Sequence, residues 1–204
     1  MNSRRGFTLI ELLIVIGIVA VLVTVVVLVI NPANIRKEAR DVVRQTDLKT
    51  LSAAIQFATI DKININTGEK NKIYLSLPDN NPNCSSYSNL PVLSPGWSYA
   101  CVSRDNLRKI DGTGWVPVDF RSLAFSLLSV LPIDPANDAV QGLYYSYAVG
   151  SWEFETRLES TKYAGVATED GGKTPLLLEI GSDLNLMPSQ ISDRLSPPAT
   201  GVHD

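Results

Sequence analysis

Hydrophobic positions along this 204-residue chain fall into blocks of different period. From Phe7 to Ile30 nearly every residue is apolar, broken only by Thr8, Glu11, Gly17 and Thr24. A run of this length reads as a helix. Residues 7–30, rising 1.5 Å each, span roughly 36 Å, enough to cross the hydrocarbon core of a bilayer. Asn31-Pro32 then interrupts it, since proline removes a backbone donor and disfavours helical geometry at the residue before it. The same pair is a restart signal, with Asn31 as N-cap and Pro32 at the first helical position. The spacing therefore predicts a kink or short break, then a second helix from about Ala33 to Ile60. Its apolar or small positions Ile35, Ala39, Val42, Val43, Thr46, Leu51, Ala54, Ile55 and Ala58 step mostly by three and four. That amphipathic stripe should pack on a sheet.

The period changes after residue 60. From Asp61 to about Asn106 the chain reads as loop-rich, punctuated by Pro78, Pro82, Pro91, Pro95 and Gly96. A short helical segment is expected over Phe120 to Leu131, ended by Pro132. "LYYSYAVGSWEFETRLES" reads as a hairpin. In it Trp152, Phe154, Thr156 and Leu158 alternate with Glu153, Glu155, Arg157 and Glu159, the period of a half-buried strand. "TPLLLEIGSDLNL" supplies another strand. The end of the chain (191–204), with Pro197-Pro198 and the lone His203, reads as a disordered tail.

Composition sharpens this outline. The length suits one domain plus an appendage. Removing the first 30 residues leaves 16 Lys and Arg (18 less Arg4 and Arg5) against 20 Asp and Glu (21 less Glu11). The soluble part is mildly acidic, so no nucleic-acid binding is inferred. A secretory signal fits poorly, because such apolar regions run about 7–15 residues and end in an A-x-A-like site. Orientation is contested by two signals. Arg36, Lys37, Arg40 and Arg44 follow the apolar run closely and favour a cytoplasmic C-terminal side. Cys84 and Cys101, flanking a Pro/Gly/Ser-rich loop, favour an oxidising compartment and a bridge between them.

Glu11 is the residue a plain anchor has no use for. An ionised side chain in lipid costs roughly 2.5–3.5 kcal/mol at mid-bilayer, so an intramembrane carboxylate is a functional candidate. It sits in a recognisable context: a short basic leader, then Gly6, then Phe7-Thr8-Leu9-Ile10-Glu11-Leu12. This N-terminus resembles the type IV prepilin and type II secretion pseudopilin family. The resemblance implies a leader at 1–6, cleavage between Gly6 and Phe7 by a prepilin peptidase, and N-methylation of Phe7. It also implies a single-pass membrane protein with a cytoplasmic N-terminus and its soluble domain outside, which overrules the charge count. Glu11 would then meet the Phe7 amine of a neighbouring subunit, fixing axial register as a buried polar residue does in a coiled coil. The implied fold is α+β, a pilin fold: an assembly helix (7–30), an amphipathic helix (31–60), and a globular domain (61–190) whose antiparallel sheet packs on that helix.

Other chemistry is sparse. Arg36, Arg40 and Arg44 form a like-charged i,i+4 ladder, read either as a contact to acidic groups of adjacent subunits or lipid headgroups, or as a solvated face relieved by Asp41 and Asp47. Asp134, Asn137 and Asp138 make an oxygen-rich cluster, and related pseudopilins bind calcium near their C-terminal loops. The spacing matches no EF-hand and turn chemistry accounts for it, so no cofactor is expected, with calcium as the alternative. Glu169-Asp170-Gly171-Gly172 reads as a turn. No P-loop, G-x-S-x-G or H-E-x-x-H occurs, so an enzyme is not expected. The expected role is a filament subunit of a type IV pilus or secretion pseudopilus, with other subunits and the assembly machinery as partners. The alternative is a minor tip or adhesion subunit whose Cys84–Cys101 loop contacts a ligand.

Overall fold

The computed structural model describes residues 7–61, 65–123 and 128–188, with backbone alone at 27–30. The leader (1–6) and the tail (191–204) lie outside those residues. Helix α1 runs Leu9–Ile30 and α2 runs Pro32–Asp61. Asn31 between them adopts left-handed backbone (φ 44°) and caps α1. Its carbonyl accepts from Asn34 N (3.0 Å) and Ile35 N (3.4 Å), so α2 begins at once with Pro32 in its first position. The restart comes without the extended geometry usual for an N-cap.

Five strands follow: β1 Lys72–Pro78, β2 Ser98–Val102, β3 Ser146–Ala148, β4 Glu153–Arg157 and β5 Leu177–Gly181. Their order in the sheet is β2-β1-β3-β4-β5. All neighbours are antiparallel except β1 and β2, which pair in parallel. The architecture is α+β, a long N-terminal helix followed by a helix against a mixed sheet. Strands β1 and β2 fall inside the region read as loop. β1, next to the sheet's centre, has a legible pattern: Ile73, Leu75 and Leu77 face one side, and Tyr74 and Ser76 the other. The helix expected over Phe120–Leu131 is a single 3-10 turn, Phe120–Ser122, with 124–127 outside the described residues. A five-residue helix α3, Ala164–Thr168, lies between β4 and β5.

One face of the sheet receives α2. Leu48, Leu51, Ala54, Ile55 and Ala58 are buried in one cluster with Trp115, Tyr145, Tyr147, Phe154 and Leu178. The Tyr147 and Phe154 rings stack at 4.8 Å, and Trp115 meets Phe154 edge-on at 6.3 Å. Each buried large side chain contributes about 1.5–3 kcal/mol by removal from water, which holds the helix on the sheet. The other face is not left to solvent. Ile73, Leu75, Leu77, Tyr144, Leu177 and Met187 form a second buried cluster together with Cys84 and Cys101. Those cysteines are joined, with Cα atoms 5.2 Å apart.

The inward face of α2 differs from the expected stripe. Ile35, Val42 and Val43 are exposed, whereas Asp41, Arg44, Leu48, Leu51, Ile55 and Ala58 are buried. Steps of three and four fit both rows, and apolarity alone selects the wrong one near the helix start. The buried row is charged at its first two positions because the opposing loops supply partners for those charges.

Candidate functional site

The first turn of α1 is organised around Glu11. Thr8 is the N-cap, its hydroxyl accepting from Glu11 N (3.3 Å), while Glu11 Oε2 accepts from Thr8 N (2.8 Å) and Thr8 Oγ1 (2.7 Å). This reciprocal capping box satisfies donors that a helix start leaves unpaired. The sequence reading assigned Glu11 no role within its own chain. The signal for one was present, as Thr-x-x-Glu directly before an apolar run. Phe7 lies exposed just ahead of the cap, four residues from Glu11 and so one turn away. Gly6 is outside the described residues.

Beyond Glu11 the helix offers only apolar surface. Leu9–Val26 is long and apolar enough to cross a membrane by length and composition, and none of it is buried against the rest of the chain. Thr24 turns its hydroxyl back to Ala20 O (2.9 Å), so this polar group needs no partner outside the helix. An unburied apolar helix of this length requires lipid, other chains or both around it.

Residues 1–27 match the model of the prokaryotic N-terminal methylation motif. The chain carries the type IV prepilin and pseudopilin signature. That signature, with the apolar helix, points to a membrane-anchored pilin-like precursor. No curated protein and no solved structure matches the chain at the significance required.

Helix α2 is anchored through ion pairs. Arg44 is fully buried and makes two bonds to Asp134, Nε to Oδ2 at 2.6 Å and Nη2 to Oδ1 at 2.9 Å. Its Nη1 reaches Asp41 (2.9 Å) and Glu159 (2.6 Å). Arg40 grips the same Glu159 with two bonds, 2.6 and 2.7 Å. Asp41 also accepts from the backbone of Glu159 (2.9 Å) and Ser160 (2.7 Å). Burial raises the Glu159 carboxyl's pKa, but the bonds from Arg40 and Arg44 outweigh it and hold the value at about 2. Of the arginine ladder only Arg36 is exposed, while Arg40 and Arg44 turn to acids of their own chain; Asp41 relieves Arg44 as expected, but Asp47 accepts from Tyr145 instead.

The loop cluster resolves in the same way. Asp134 receives Arg44 and the Ala136 and Asn137 amides. Asn137 exchanges bonds with Ser76, and Asp138 accepts from Val140, Gln141 N and Gln141 Nε2. Asp170 of the glycine-rich turn accepts from Gly172 N and Glu179 N.

Proposed function

We propose that this protein is a filament subunit, cut between Gly6 and Phe7 by a prepilin peptidase and polymerised through α1 into a type IV pilus or secretion pseudopilus. The observation that carries the reading is an apolar helix, unburied over Leu9–Val26, that lies largely within the match to a methylation motif at residues 1–27. In the membrane the helix holds the subunit, with the leader on the cytoplasmic side and the sheet domain outside. In the filament, neighbouring α1 helices replace lipid around one another.

Cleavage frees an amine on Phe7, one turn from Glu11. Two opposite charges in an apolar bundle favour pairing, because a lone one keeps its desolvation penalty. The Phe7 amine of one subunit meets the Glu11 carboxylate of the next, which sets the axial step. The capping bonds to Thr8 orient that carboxylate toward the helix start, where an incoming amine would arrive. The exposed Ile35, Val42 and Val43 of α2 extend the apolar surface beyond the membrane segment and pack against a second copy.

Mass spectrometry of the N-terminal peptide from membrane and sheared surface fractions tests the processing step. The expected terminus is N-methylated Phe7. A mature chain starting at Met1, or beyond Ile30, would overturn the proposal.

A further inference from the structure

The alternation in β4 predicts a half-buried strand, yet both its faces are covered. Glu153, Glu155 and Glu179 are only 1%, 4% and 3% exposed. Glu153 and Glu155 point to one side because they lie two apart on β4, and Glu179 is the cross-strand partner of Glu155 on β5. The three residues bring carboxylate oxygens within 4.8 Å of one another, on the sheet face opposite α2. Like charges directly opposite in a ladder repel, and a buried carboxylate without compensation costs several kcal/mol. Something must offset this grouping.

The chain itself offers little. Glu153 Oε2 accepts from Met187 N (2.6 Å) and Glu179 Oε2 from Thr174 N (3.3 Å). Glu155 Oε2 is buried and accepts no hydrogen bond from any described residue. Lys173 acts on all three carboxylates, but its ammonium donates to the Asn185 and Met187 carbonyls at 2.9 and 3.1 Å. Asp170 adds a further acidic group nearby. Arg157, next along the strand, donates away to Gln141 O.

The surroundings are tight at Glu179 and open beside Glu155. Gly172 runs so close to the Glu179 carboxylate that a Cβ there would collide with it. Beside Glu155 lies a cavity of about 70 Å³, lined also by Ser146, Tyr144, Asn89 and Leu177. We propose that Glu153, Glu155 and Glu179 bind one hard divalent cation, with calcium the best fit and Glu155 Oε2 its otherwise unpartnered ligand. Calcium–oxygen bonds of about 2.4 Å place two ligands of one ion up to ~4.8 Å apart, and calcium accepts irregular oxygen sets. Magnesium demands shorter octahedral bonds and keeps its water, and softer metals want nitrogen or sulfur ligands that this cluster lacks. The ion ties β4 to β5 and to the chain that crosses them at 170–174. The cluster is separate from the 134–138 loop, whose acidic side chains are taken up by Arg44 and by local amides and a glutamine.

The test uses the full-length chain in detergent, stripped with chelator and titrated with calcium chloride by calorimetry and by thermal unfolding. The expected result is one ion per chain and an unfolding midpoint several degrees higher with calcium. Glu155→Gln should weaken binding at least tenfold, while Asp138→Asn leaves it unchanged. If Glu155→Gln does not fold, Glu179→Gln is read in its place. Wild-type chain that binds no calcium at millimolar concentration overturns the proposal. So does binding that survives Glu155→Gln but is lost in Asp138→Asn.

Discussion

Arg44 puts a guanidinium among three carboxylates at a position where an amphipathic helix ordinarily buries a leucine. Its worth is conditional. With every partner in place such a cluster is close to neutral against an apolar one, but removing one member strands the others, typically at about 3–5 kcal/mol. Arg44→Met is expected to lower the stability of the detergent-solubilised chain by that order in urea unfolding. Arg44→Lys should recover little of it, because an ammonium cannot reproduce the two-pronged bond to Asp134. Glu159 adds a pH dependence. Its folded-state pKa, about 2, lies below the usual 4.5, so its contribution is full above about pH 4.5 and is lost as the pH falls toward 2. Unfolding midpoints should drop across that window, and Glu159→Gln should flatten the drop.

Helix α2 shows what can be read from a sequence and what cannot. Its extent, its break at Asn31-Pro32 and its apolar lower half, Leu51 to Ala58, follow from period and proline chemistry. The row it buries near the membrane does not, because Asp41 and Arg44 read as surface residues until Asp134 and Glu159, some 90 to 118 positions away, close on them. The strands behave alike. β4 is legible as alternation and β5 as a short apolar run, whereas β1 alternates but lies in a stretch whose prolines read as loop. The burial of both faces of β4 depends on chain that folds over it from 170 to 187. Two predictions belong at this scale. Replacing Cys84 and Cys101 together by serine should cost about 3 kcal/mol, the loop-closure entropy of a bridge across this span, and make stability insensitive to reductant. Val43→Glu, on the exposed row, should leave stability within about 0.5 kcal/mol of wild type yet reduce filament yield, because in the proposed filament that row packs on a second copy.

The whole molecule divides its labour along the chain. The sheet domain has a core on each face of the sheet, a disulfide and a buried ion-pair cluster locking α2 in place. Helix α1 satisfies nothing but its own backbone and waits on its environment for the rest. Assembly through α1 rests most directly on Glu11. Glu11→Val removes a charge from lipid, so membrane insertion should be unchanged or improved. The sheet domain should fold normally, since Glu11 touches none of it. Sheared-filament yield, measured from cells whose membranes hold equal amounts of wild-type and variant protein, is the deciding quantity. It should fall sharply, because the partner amine is left uncompensated among apolar helices and the axial register is lost. Filaments from Glu11→Val in wild-type yield would contradict that assembly role, and would reduce Glu11 to the cap of its own helix.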